Sequence, residues 1–185
     1  MVAILLANGF ESAEALVTLD LLHRAGINAY LTALNQGEIV SANGVVVKAD
    51  RELKESDIAV FGKELDMLVL AGGINNVNTL RDAPEAKKLI TQTAADGKYL
   101  AAICAAPMIL AKIGLTDNKN ITCYPGMESD MGNANVQTDS KVVVDAKVIT
   151  GQGPGAVFDF ALKLVEILKG EETMQRVKNE VHYQD

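Results

Sequence analysis

The chain is poor in the residues that anchor metals, disulfides and nucleic acids. In 185 residues it has two cysteines, Cys104 and Cys123, and two histidines, His23 and His182. Two cysteines cannot build a disulfide framework, and with two widely separated histidines they do not supply a zinc tetrad. Basic residues are outnumbered, 17 Lys+Arg against 24 Asp+Glu for a net charge of −7, which argues against an electrostatic grip on nucleic acid or an anionic membrane surface. No apolar run reaches the ~18 residues that a membrane span requires. The opening six residues lack the basic flank and the length of a signal peptide, so a cytoplasmic location with no membrane partner is expected. No internal repeat, low-complexity linker or shift in composition marks a boundary, and residues 1–185 are expected to form one domain. With 49% hydrophobic and 22% charged residues, the chain has enough apolar surface for one core.

What is present alternates between two periodicities. Residues 2–7 are a short continuous apolar run broken by Asn8-Gly9, as in a buried strand followed by a loop. Ala15, Leu16, Leu19 and Leu22 then recur at helical spacing until Ala25-Gly26. A second strand is predicted over 30–34. Residues 39–41 and 45–48 flank Asn43-Gly44, which predicts a β-hairpin with a type I′ turn. The apolar run 67–71 ends at Gly72-Gly73, and residues 84–96 read as a helix through Ala86, Leu89, Ile90 and Ala94. Residues 99–103 read as a central strand, with a helix opening at Ala105-Ala106-Pro107 and closing at Gly114. The polar stretch to Ser140 is a loop or a short helix. Two Val-rich strands follow around Asp145-Ala146, then a glycine loop, then an amphipathic helix with Val157, Phe160, Ala161, Leu164, Val165 and Leu168 inward, and beyond Gly170 a tail helix. The order predicts an α/β fold, a mostly parallel central sheet with helices on both faces and a small β-hairpin.

Cys104 is the leading candidate for chemistry because it stands on a strand-to-helix turn. Ligands of open parallel sheets bind beyond the carboxyl ends of the strands, and the dipole of the next helix favours an anion there, so a lowered thiol pKa is expected. Ala102, Ala105 and Ala106 are the small neighbours that a sharp, crowded turn requires. An inert buried cysteine is the alternative. Glu11 and Glu14 lie near a helix start, where an exposed carboxylate is unremarkable. Gly72-Gly73 could be a plain tight turn. Gly151-Gln152-Gly153-Pro154-Gly155 fits a dinucleotide fingerprint only loosely, near the C-terminus and with a proline inside.

The segments 101–107 (AAICAAP), 9–14 (GFESAE), 70–73 (LAGG) and 151–155 (GQGPG) together resemble the ThiJ/PfpI superfamily, nearest the branch of Parkinson disease protein seven and the bacterial protein deglycases. The resemblance runs nearly end to end and implies a flavodoxin-like three-layer sandwich. It also implies a homodimer with the first helix and the hairpin in the interface. It assigns Cys104 as nucleophile and Glu14 as the carboxyl that hydrogen-bonds it and acts as acid/base, with the N–H groups of Gly73 and Ala105 as an oxyanion hole. Tyr124, Gly72 and Pro154 would line the pocket. The implied activity is cofactor-independent and metal-free chemistry on reactive carbonyls, of the glyoxalase III or protein deglycase kind. Its substrates would be methylglyoxal or early glycation adducts on side chains.

The chain also departs from that pattern. Tyr124 stands where many members carry a histidine near the cysteine, so slow turnover is expected. Ala105 stands where peptidase members carry a histidine, which argues against a Cys-His protease. Asn43 lies roughly where several relatives have an arginine, so their substrate charge preference does not carry over. His23 and His182 are off the motif positions. In an extended segment Cys123 and Tyr124 face opposite ways, which argues against a Cys104–Cys123 disulfide. A second reading makes Cys104 a redox sensor, oxidised to sulfinate in a stress-protective or chaperone protein. A third, a role in thiazole monophosphate biosynthesis, lacks a phosphate-binding arginine cluster.

Overall fold

The computed structural model describes residues 1–35 and 37–184. Its strands are β1 (Val2–Leu6), β2 (Ala29–Ala33), β3 (Glu38–Val40), β4 (Val46–Lys48), β5 (Arg51–Glu52), β6 (Met67–Leu70), β7 (Tyr99–Ile103), β8 (Asn120–Ile121), β9 (Asn135–Val136), β10 (Val142–Asp145) and β11 (Val148–Gly151). The helices are α1 (Ser12–Arg24), α2 (Ile58–Glu64), α3 (Ile74–Asp82), α4 (Pro84–Ala95), α5 (Pro107–Lys112), α6 (Val157–Lys169) and α7 (Glu171–Glu180). Seven strands form one sheet in the order β10-β11-β7-β6-β1-β2-β5. All its neighbours pair in parallel except the edge pair β10–β11.

The continuous apolar runs are explained by burial on both faces. In β1, Val2, Ile4 and Leu6 pack with α1, α6 and α7, while Ala3 and Leu5 face the opposite layer of α2, α3, α4 and α5. β6 and β7 divide in the same way, which makes the fold a three-layer sandwich. The strand order reverses direction beside β1, between β2 and β6. Crevices at such switch points, beyond the carboxyl ends of the strands, are where this architecture binds ligands.

Two helices escape sequence reading. The residues of α3, INNVNTLRD, are polar and Asn-rich, and α2 is about two turns long with Gly62 inside it; neither has strong intrinsic propensity. Packing supplies what propensity does not, through Val77 and Leu80 in one helix and Ile58 and Phe61 in the other. The hairpin forms as β3 against β4, but its turn is not type I′. Only Gly44 has positive φ, at 83°, while Asn43 does not. The loop spans residues 41–45, closed by bonds from Gly44 N–H to Ser41 O and from Ser41 N–H to Val45 O. Type I′ needs positive φ at both central residues; one extra residue before the glycine removes that demand. The polar stretch after Gly126 contains one turn of 3₁₀ helix at Glu128–Asp130 and the short strand β9, which pairs in parallel with β8 ahead of the stretch. Among the described residues, no helix is long and apolar enough to cross a membrane.

Candidate functional site

Three chain segments meet beyond the carboxyl ends of β1, β6 and β7. From β7 comes Cys104, whose φ of 66° is in the left-handed region, at a cost of roughly 1–2 kcal/mol for a residue with a side chain. Its peptide is held on both sides: its N–H donates to Gly151 O at 2.9 Å and its carbonyl accepts from Tyr124 N–H at 2.9 Å. The buried Ala102, Ala105 and Ala106 leave room for this bend.

From α1 comes Glu14, 1% exposed. Its Oε2 accepts a hydrogen bond from Gly72 N–H at 2.7 Å. Among the described residues its Oε1 has no hydrogen-bond partner, and the Cys104 thiol is the side chain hydrogen-bonded to this carboxyl. Burial pushes Glu14 up to about 7, against the opposing pull of the Gly72 N–H and the thiol. Burial likewise pushes Cys104 up to about 12, with the Glu14 charge and the thiol's contact with that carboxylate adding to it. The expected lowered thiol pKa is therefore corrected. α5 is only six residues long and begins three residues after Cys104, so its dipole is weaker than the desolvation of the sulfur. The backbone N–H groups of Ala105 and Gly73 do favour the thiolate, as smaller effects. Thus Glu14 is the first of the pair to ionise, and the thiol's nearest proton acceptor is that carboxylate.

From the β6–α3 turn come two glycines at which any side chain would collide with its neighbours. A Cβ on Gly72 would lie 2.6 Å from both Glu14 Oε2 and Cys104 Cβ, and 3.0 Å from Cys104 Sγ. Gly73 has φ 87°, and a Cβ there would lie 2.2 Å from Gly9 O. The close approach lets the Gly73 N–H reach the sulfur while Gly72 O accepts from Glu11 N–H at 3.1 Å.

Sequence reasoning missed Asn76, which is fully buried in α3. Its Oδ1 accepts from Ala7 N–H at 2.6 Å, and its Nδ2 donates to Ala71 O at 2.8 Å and Gly72 O at 3.1 Å. It ties the end of β1 to the glycine turn. The only signal in the sequence is a polar residue abutting the apolar positions Val77 and Leu80.

The structure thus brings together Cys104, Glu14, Gly72, Gly73 and Ala105. Tyr124 and Pro154 line a neighbouring hollow of about 310 Å³ with Gln152 and Gly153, and Gly72 is not among its walls. The Tyr124 side chain is 47% exposed, and its ring packs so close to Gly153 that a Cβ there would lie 3.2 Å away. Cys123 is a free thiol buried with Ile121 and Met131, as expected for the opposite side from Tyr124. His23 Nε2 is hydrogen-bonded to Ala29 O at 2.8 Å, away from the cysteine turn. Among the described residues, no three His, Cys, Asp or Glu side chains are grouped to hold a metal.

Comparison with known proteins identifies the family and the fold. Residues 1–167 match the model of the DJ-1/PfpI family. The chain belongs to the DJ-1/PfpI family. It is 37% identical over 176 residues to protein dj-1beta of Drosophila melanogaster, covering 94% of this chain and 92% of the fly protein. The crystal structure of Drosophila DJ-1beta superposes with a TM-score of 0.92 at 32% identity, covering 100% of this chain and 98% of that one. The Caenorhabditis elegans protein called glutathione-independent glyoxalase DJR-1.2 is 31% identical over 163 residues, covering 88% of this chain and 84% of the nematode protein. The DJ-1/PfpI family therefore includes a glyoxalase-named relative of this chain.

Proposed function

We propose that this DJ-1/PfpI protein is a cysteine-dependent enzyme acting on reactive carbonyls, with Cys104 as nucleophile and Glu14 as acid/base. The observation that carries the reading is the left-handed Cys104, held beside a buried carboxyl that titrates at about 7. Strain of this kind is retained where surrounding structure enforces it, and it gathers at sites of chemistry.

With methylglyoxal, the Cys104 sulfur bonds to the aldehyde carbon as the carbonyl π pair moves to oxygen. The thiol proton goes to ionised Glu14. N–H groups of Gly73 and Ala105 receive the oxyanion, which then takes the proton from Glu14 to give the hemithioacetal. The Glu14 carboxylate next removes the proton on C1. Its electron pair forms the C1=C2 bond of an enediol as protonated Glu14 gives that proton to the ketone oxygen; the carboxylate then takes the C1 hydroxyl proton and delivers it to C2 as the C1=O bond forms, which leaves a 2-hydroxy thioester. C1 is oxidised by two electrons and C2 reduced by two, so no external oxidant is needed. Water hydrolyses the thioester to lactate and restores the thiol. In the deglycase variant the adduct is an early glycation product on a cysteine, lysine or arginine side chain.

A redox role has its own support in the partly exposed Cys104 thiol and the unpartnered Glu14 Oε1. A protonated carboxyl there could donate to a sulfinate oxygen. Lactate formation from methylglyoxal by the wild type, Cys104→Ser and Glu14→Gln, in glutathione-free buffer, separates the two readings. Turnover lost in both variants supports the enzyme. Silence in all three overturns it, and selective gain of two oxygens on Cys104 under mild peroxide would then support sensing. We further infer a homodimer through α1 and the hairpin, where Val40, Val45 and Val46 are exposed; sedimentation at a single protomer mass would contradict it.

A further inference from the structure

We propose that the β2–β5 edge of the sheet carries a second binding site, specific for a small carboxylate and separate from the cysteine. A hollow of about 330 Å³ opens there between the strands and α2, lined by Thr32, Arg51, Glu52, Leu53, Lys54 and by Asp57 and Phe61. That size is at the lower end for small-molecule sites. β5 lies four strand positions from β7, or about 19 Å at ~4.8 Å per strand, so a ligand in this hollow does not touch Cys104.

Two groups beside the hollow have no protein hydrogen-bond partner among the described residues, the buried Thr32 hydroxyl and the exposed Arg51 guanidinium. Thr32 and Arg51 are register partners in the parallel pairing of β2 with β5. The Thr32 side chain is 1% exposed, and its hydroxyl is buried with no hydrogen-bond partner among the described residues. An orphaned buried hydroxyl is costly, and Thr18, Thr116 and Thr122 carry others in this fold. The Arg51 guanidinium carbon lies 5.1 Å from the centre of the Tyr30 ring and 5.3 Å from that of Phe61. Contact with two aromatic rings restrains the guanidinium while leaving its N–H groups available in their own plane.

The surrounding acids do not take those donors. The Asp50 carboxylate accepts from Leu31 N–H at 2.8 Å, Glu52 pairs with Lys54 at 3.5 Å, and Asp57 accepts from the Ser56 hydroxyl at 2.7 Å. No ion pair or side-chain hydrogen bond of Arg51 exists among the described residues. A planar carboxylate matches the guanidinium fork through two parallel N–H···O bonds. Leu53 and Phe61, both buried, give an apolar wall for the rest of the molecule.

Titration of the full chain with sodium benzoate, followed by amide NMR, tests this assignment. Saturable shifts are expected at Thr32, Leu53 and Phe61, with none from neutral benzamide. Arg51→Gln should bind roughly tenfold more weakly. Arg51→Lys keeps the charge but loses the fork, and should fall between wild type and Arg51→Gln. An unperturbed amide spectrum elsewhere in each variant confirms the fold. Absence of saturable shifts at these amides, equal binding by Arg51→Gln, or equal response to benzamide or inorganic phosphate would overturn the proposal.

Discussion

At the amino ends of the strands lies the larger hollow, about 610 Å³, walled by Met1, Asp66, Asp96, Lys98, Tyr99 and Lys147 among others. At the carboxyl ends the same sheet holds Cys104, Glu14 and the glycine turn in far tighter quarters. In the roomy end, charges have ordinary partners: the N-terminal ammonium donates to Asp66 at 2.5 Å, Gln92 donates to Asp96 at 2.9 Å, and Lys147 sits 3.7 Å over the Tyr99 ring. In the crowded end stand a left-handed cysteine, a buried carboxyl with an unpartnered oxygen, and a glycine whose methyl would collide with both. Volume marks where something could fit. Strain and a displaced titration mark where the fold maintains an arrangement that packing alone would not choose.

That contrast can be broken most decisively by turnover. Cys104→Ser should abolish lactate formation from methylglyoxal, and Glu14→Gln should lower it by about a hundredfold or more; Lys147→Ala, at the opposite end, should leave it unchanged. A loss in Lys147→Ala comparable to that in Glu14→Gln would assign the chemistry to the wrong end. Next in size is the packing of the glycine turn. Gly73→Ala meets both an adverse φ and the Gly9 carbonyl, and should cost about 3 kcal/mol or more in denaturant unfolding. Gly72→Ala, which intrudes between the thiol and carboxyl, should cost about 1–3 kcal/mol. Asn76→Ala strands the Ala7 N–H and loosens the Ala71 and Gly72 carbonyls, for roughly 2–4 kcal/mol.

The buried carboxyl sharpens the comparison through pH. Glu14 titrates at about 7 in the folded chain against 4.5 for an exposed glutamate, so the folded state holds this proton more tightly. Its contribution to stability is fully present below pH 4.5 and is lost as pH rises through 7. Glu14→Gln has no such loss. Relative to wild type, its stability should therefore rise by up to about 3 kcal/mol between pH 5 and 8, measured by urea unfolding at each pH. Smallest of all, Lys147→Ala should change stability by less than about 1 kcal/mol, the range of an exposed cation–π contact.

Much of the fold is legible in the residues because burial on two faces writes continuous apolar runs, as in residues 2–6 and 67–70. The α3 helix is not legible, because its three asparagines carry no helical signal and its stability comes from Val77 and Leu80 in the opposite layer. For the candidate site, small residues around Cys104 reveal a turn, and the family resemblance singles out Glu14. The thiol's electrostatics are hidden. A helix start after a cysteine suggests an acidified thiol, but the sequence carries no measure of how deeply Cys104 is buried or how near Glu14 lies, and those two facts reverse the direction. Asn76 is hidden for a related reason: its three bonds run to backbone atoms, which leave no trace in side-chain pattern.

The shared proton of Cys104 and Glu14 is most directly tested by the rate of Cys104 alkylation by iodoacetamide as a function of pH, followed by mass spectrometry in wild type and Glu14→Gln. Glu14 gives up the pair's first proton at about 7, and burial with the neighbouring carboxylate holds the thiol up to about 12, so the wild-type rate should stay low through pH 7 and climb only toward high pH. Glu14→Gln removes the carboxylate that helps hold the thiol up, so its rate should exceed that of the wild type and begin to climb at lower pH. Superimposable profiles for the two proteins would contradict the account.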